Sequence, residues 1–204
     1  DTRESVAFEK AGIFRPGKPV VCGDPDPPRA LVEQAAKLGA PVYLRGRDFD
    51  LTVGAGVWHW QGVNDAGATA ELDNLPLLDL PVENAALALQ AYSLLGLPWQ
   101  ADQLSAALQN THLSGRLERR SLRYQGKNLT LLLDVGHNPH AAAFLANRLR
   151  ARPIAGRRLA VFGLLVDKDL AGIVQELCHE IDLWALAPLA SPRSRTVSEL
   201  ANEL

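Results

Sequence analysis

The sequence predicts an α/β protein with a mainly parallel sheet, and three observations carry that expectation. From Gly115 onward, short continuously apolar runs alternate with amphipathic stretches of about ten residues, the pattern of buried strands joined by crossover helices. Gly and Pro fall at the ends of these runs and mark the element limits. The chain is 47% apolar and 22% charged, an ordinary globular balance, and no apolar run approaches the ~18 residues a membrane span needs.

The elements follow in order. KPVVCG (Lys18–Gly23) is a short β-branched run closed by the turn-rich DPDPP. Helical spacing of apolar residues from Pro28 to Ala40 gives an amphipathic helix with a glycine stop. PVYLRG (Pro41–Gly46) returns as a strand, and Phe49–Gln61, with alternation in GVWHWQG, reads as a hairpin. Glu83–Leu97 is an apolar helix and Gln100–Gln109 a second one. A domain boundary falls near His112–Gly115, giving residues 1–113 and 114–204 as two domains. Beyond it come strands at Arg116–Tyr124, Leu129–Val135, Arg158–Leu165 and Leu183–Ala187. Helices are expected at Pro139–Ala151, Leu170–His179 and from Val197.

Charge narrows the function classes. With 21 Lys and Arg against 23 Asp and Glu, the net charge of −2 carries no basic excess for nucleic acid. A cytoplasmic monomer acting on small molecules is expected. Cys22 and Cys178 match no metal-ligand spacing and read as buried small hydrophobes. The chain contains no methionine and opens abruptly on DTRESVAFEK, from which a piece of a longer protein is expected.

The most informative stretch is LLLDVGHNPHAAAFLANRL (Leu131–Leu149), where a buried strand ends in Asp134. Ligands of open α/β sheets bind beyond the carboxyl ends of strands, and a carboxylate there can accept ribose hydroxyls. The alternative is that Asp134 ties down its own turn. Asn138-Pro139 has the form of a helix N-cap followed by proline at the first helical position. His137 and His140 stand three apart, whereas a two-histidine helical metal site uses a spacing of four with a carboxylate between. A hydrolase built on Asp134, His137 and His140 is therefore disfavoured.

Four motifs in order, ESVAFEKAGIFRPGKPVV, PVENAALAL, SGRLE and LDVGHNPHAA, resemble the folylpolyglutamate synthase/dihydrofolate synthase family of the Mur ligase superfamily. The resemblance implies the tail of a central nucleotide-binding domain followed by a Rossmann-like C-terminal domain. It further implies an ATP- and Mg2+-dependent ligase that adds L-glutamate to folate, and in some members to dihydropteroate, through an acyl phosphate. No G-x-x-x-x-G-K-[ST] occurs here, and GAGVWH, the nearest glycine cluster, lacks the lysine. By the resemblance, the phosphate loop and two magnesium ligands lie upstream of Asp1, and the chain by itself is not expected to catalyse. A non-catalytic nucleotide- or ligand-binding α/β module is the alternative.

The resemblance also implies residue roles. Lys10 matches a lysine that becomes carbamylated and then serves magnesium as an oxygen ligand; burial among Phe8, Ile13 and Phe14 would favour the neutral amine that reacts. Without the motif it reads as a surface lysine. Asn84 matches an adenine contact, or else caps its helix. Arg116 matches an arginine that reaches the ATP phosphates when the domains close, or else is an exposed strand-end side chain. Asp134 is assigned to the ribose and His137 to the catalytic cleft. Lys168, in GLLVDKDL, resembles the lysine that binds the incoming glutamate carboxylate; its alternative is a helix-start charge cluster.

Overall fold

The computed structural model describes residues 2–204. The chain divides into two compact units, Asp1–Thr111 and His112–Leu204.

In the first unit, α1 (Arg3–Lys10) opens with a reciprocal capping box between Thr2 and Ser5. Strands β1 (Val20–Cys22) and β2 (Val42–Leu44) pair in parallel, Val20 opposite Val42, with α2 (Arg29–Lys37) as the crossover. The helix stops at Gly39, φ +58°, where the Ala40 N–H reaches Ala35 C=O and the Gly39 N–H reaches Ala36 C=O.

The remaining strands, β3 (Asp50–Val53), β4 (Val57–Val63) and β5 (Thr69–Pro76), form an antiparallel meander. Helices α3 (Val82–Ser93) and α4 (Ala101–Gln109) follow. Trp58, Trp60, Leu72 and Leu75 of the meander bury against Ala86 and Leu89 of α3. Each buried large apolar side chain contributes about 1.5–3 kcal/mol. Gln90, fully buried on α3, is satisfied at both ends: its Oε1 accepts from Val63 N–H at 3.2 Å and its Nε2 donates to Val63 C=O at 2.8 Å.

The second unit begins with a hairpin, β6 (Glu118–Tyr124) and β7 (Lys127–Leu133), antiparallel with Glu118 opposite Leu133. Its two-residue turn has φ +48° at Gln125 and +76° at Gly126, the doubly positive geometry that matches strand twist. Helix α5 (Pro139–Arg150) is capped by Asn138, whose side chain accepts from Ala141 N–H, with Pro139 in first position. Strands β8 (Leu159–Phe162) and β9 (Leu183–Leu186) are parallel with α6 (Leu170–Leu177) between them, and α7 (Val197–Ala201) closes the chain. Ala142 and Ala146 on α5 let α6 approach, burying Leu170, Ile173, Val174 and Leu177. At Gly172 there is no room for a side chain: a β-carbon there would stand 2.6 Å from Pro139 Cγ.

The α/β class and parallel pairing are both present, while the β6–β7 ladder is antiparallel. The apolar strands are not covered on both faces as their sequence suggested. Phe162, Trp184 and Leu186 turn inward onto the α5–α6 cluster, Phe162 and Trp184 meeting edge to face at 5.4 Å, while Leu159, Val161 and Leu183 are exposed. Cys22 is buried as expected, but Cys178 is exposed because it caps the C-terminus of α6 rather than facing the core. No helix among the described residues is long and apolar enough to cross a membrane.

Candidate functional site

The open end of the β6–β7 hairpin gathers Arg116, Asp134 and His137. Gly115, at φ +69°, starts the turn, and a β-carbon there would stand 2.9 Å from Val135 Cγ1. Its N–H donates to Glu118 Oε2 at 2.8 Å, and Val135 N–H donates back to Gly115 C=O at 2.8 Å. The Gly115 N–H, then the Arg120 guanidinium 2.6 Å away, hold the Glu118 carboxyl below its usual range. Asp134 accepts from two backbone groups, Leu117 N–H at 2.9 Å and Gly136 N–H at 2.7 Å. The turn-anchoring role is therefore real, and each oxygen still keeps a lone pair for another donor.

Arg116 is exposed, and its guanidinium has no hydrogen bond or ion pair among the described residues. His137 is exposed, with Nδ1 3.1 Å from Val135 C=O. A carbonyl only accepts, so Nδ1 is the donor in that contact, and in the neutral ring Nε2 is then the acceptor. This corner therefore offers a free guanidinium fork, a partly occupied carboxylate and an imidazole, carried by two segments, 115–117 and 134–137, that the Leu117–Asp134 hydrogen bond joins.

Lys168 lies on the β8–α6 loop of the same unit. Its ammonium is 2.8 Å from Asp167 Oδ2, and Arg193 stands 3.7 Å from Asp167 Oδ1. The bond from Lys168 is the main cause of the lowered Asp167 carboxyl pKa. Asp169 caps α6 by accepting from Gly172 N–H at 3.0 Å. The charge-cluster reading thus describes the resting geometry, with one cation beyond the number needed to neutralise Asp167. Sequence reasoning did not single out Arg193 or Arg195, whose only signal is the SPRSR run ahead of a capping box.

The first unit carries Lys10 and Asn84. Lys10 ends α1 with its ammonium 3.3 Å from Glu9 Oε1 and its side chain 72% exposed. The expected burial is absent: Phe8 and Ile13 are themselves exposed, Ala7 and Ala11 are the buried residues here, and Phe14 packs half-buried against Val20, Ala35 and Ala40. Asn84 is not a cap. The helix starts at Val82 behind Pro81, which puts Asn84 in the first turn, exposed and with no side-chain partner among the described residues. No group of three or more His, Cys, Asp or Glu among the described residues is arranged to hold a metal. His137 and His140 therefore form no such cluster with Asp134.

Residues 115–204 match the Mur ligase, glutamate ligase domain family. The second unit belongs to the Mur ligase family. Around this Mur ligase domain the likeness extends over the whole chain. The dihydrofolate synthase/folylpolyglutamate synthase of Haemophilus influenzae is 39% identical over 217 residues, covering 100% of this chain and 48% of that protein. That of Escherichia coli is 39% identical over 202 residues, covering 99% and 46%. Among solved structures, E. coli FolC in complex with DHPP and ADP superposes with a TM-score of 0.82 at 37% identity, over 100% of this chain and 47% of that one. A bifunctional folylpolyglutamate synthase/dihydrofolate synthase with Mn, AMPPNP and L-glutamate bound gives 0.82 at 40% identity, over 100% and 47%. The chain thus spans about half the length of the relatives it matches.

Proposed function

We propose that this chain supplies part of an ATP- and magnesium-dependent ligase that joins L-glutamate to a folate, with dihydropteroate as a second acceptor, through an acyl phosphate. The observation that carries the reading is its similarity, over 100% of this chain and 47% of that one, 40% identical with a TM-score of 0.82, to a synthase solved with Mn, AMPPNP and L-glutamate.

The residues present suit a nucleotide. Arg116 offers an unpaired planar fork to phosphate oxygens as charge develops on them. Asp134 accepts ribose hydroxyls with the lone pairs its backbone partners leave free. Asn84 presents an unpartnered amide for an adenine edge. His137 Nε2 is the available acceptor for a proton, and Lys168 meets a glutamate carboxylate as a point charge. For magnesium, the described residues would supply one ligand, a carbamate formed on Lys10. Bound magnesium would neutralise phosphate charge.

Folate-, ATP- and glutamate-dependent release of ADP and phosphate, with a product heavier by one glutamyl residue, tests the proposal in the complete ligase. Nucleotide binding without product would instead favour a non-catalytic binding module. Residues 1–204 alone, which contain no phosphate-loop motif, are expected to give no turnover.

A further inference from the structure

The β8–α6 loop is held from one side by the segment that precedes α7. Val166 N–H donates to Arg193 C=O at 2.8 Å, Arg195 N–H donates to Leu164 C=O at 2.9 Å, and Leu165 and Ser194 form an antiparallel bridge. The Arg195 side chain adds a second clasp: its Nη2 donates to Val166 C=O at 3.0 Å and to Lys168 C=O at 2.9 Å. Its Nε is fully buried with no hydrogen-bond partner.

A buried donor without an acceptor is a cost, and the backbone bridge already ties the two segments together. The side chain must therefore do something the bridge does not. The two carbonyls it holds flank Asp167, so fixing them fixes the backbone from which the Asp167 and Lys168 side chains leave. The clasp is itself anchored: the Thr196–Glu199 capping box fixes the start of α7 next to Arg195, and Leu200 is fully buried.

We infer that Arg195 is a positioning residue for amino-acid recognition: by clamping the Val166 and Lys168 carbonyls it sets where the Lys168 ammonium meets the carboxylate of the incoming glutamate. The inference rests on the reading of Lys168 given above. Arg195 touches no substrate; it acts through the loop. A planar guanidinium can span two carbonyls in a fixed geometry, which a lysine on a flexible stem cannot reproduce.

The test compares Arg195→Gln, Arg195→Lys and Lys168→Ala in the complete ligase, with KM for glutamate, KM for ATP, kcat, and amide hydrogen exchange at Val166 and Lys168. Arg195→Gln is expected to raise the glutamate KM about tenfold, the scale of losing hydrogen bonds from a charged group, with the ATP KM unchanged and exchange in the loop accelerated. Arg195→Lys should fall between, and it decides by the same readouts if the glutamine variant does not fold. Faster loop exchange with an unchanged glutamate KM, while Lys168→Ala raises it, would overturn the inference and leave the Lys168 role standing. An unchanged glutamate KM in Lys168→Ala would remove that role and the inference with it.

Discussion

The Asp134 carboxylate and the Leu117 N–H are joined by a 2.9 Å hydrogen bond at the open end of the β6–β7 hairpin, and Leu117 sits at φ +45°, where a leucine is strained. The bond holds a backbone conformation the side chain disfavours. Asp134→Ala should therefore destabilise the second unit by about 2 kcal/mol, and Asp134→Asn by about half as much, because the amide keeps one acceptor. Chemical denaturation measures the fold, and titration of the folded fraction of the complete ligase with ATP measures the proposed ribose contact. Unchanged stability in the alanine variant would mean that the anchoring bonds are not needed.

Gly115→Ala should cost about 1–3 kcal/mol, since the residue has φ +69° and its β-carbon would press on Val135. Gly126→Ala, also at positive φ but with nothing within 4 Å, should cost less. Equal thermal shifts in the two variants would assign the whole effect to the dihedral angle.

Asn84→Ala should leave helix stability within about 0.5 kcal/mol, because the side chain is exposed and caps nothing. In the complete ligase the same change should weaken ATP binding. A destabilised helix with unchanged ATP affinity would reverse the assignment.

Lys10→Ala should likewise spare the fold, its ammonium being paired, among the described residues, only with exposed Glu9. In the complete ligase it should lower magnesium-dependent turnover, and a short carboxylate should restore part of the loss. Full activity of the alanine variant, with and without bicarbonate, would exclude a carbamate role.

Acid should weaken the fold through carboxylates held in the charged form. Asp24 is lowered first by its bond from Arg3, Glu118 by the Gly115 N–H, and Glu199 by the Thr196 N–H. Because the folded pKa values lie below the unfolded ones, the stabilisation is present above the unfolded carboxylate range of about 4 and is lost as pH falls through the folded values. Glu118→Gln should flatten the stability curve below that range. A curve identical to the parent's would deny Glu118 any share.

Much of the second half was legible because its local signals agree. Asn138-Pro139 is both a cap and a first-turn proline, and each apolar run contains a strand, although the strands stop one to three residues before the runs do, at Leu133, Phe162 and Leu186. The meander strand β5 was missed for a physical reason: Asn74, at φ +55°, accompanies a register shift opposite Trp58 and Trp60, so the buried Leu72 and Leu75 fall three apart instead of two. Alternation fails there as a signal. Helix α1 was missed because it buries only Ala7 and so shows no apolar stripe.

The site residues divide in the same way. Motif order pointed to Arg116, Asp134 and His137, and place beyond a strand to Lys168, yet no motif could reveal that Asp134 is already bonded to two backbone groups. The clamp by Arg195 connects residues 27 and 29 positions apart and leaves no periodic trace in the sequence.

The contact between Gly172 and Pro139 has a dynamic consequence. With no room for even a β-carbon, the first turns of α5 and α6 cannot slide past each other without unpacking the Ala142–Ala146 interface. The Gly-His-Asn-Pro turn and the Asp167–Asp169 loop, which feed those two helices, are therefore expected to travel as one stiff body on the microsecond-to-millisecond scale of collective motions. His137 and Lys168 would then reach or leave their ligands together.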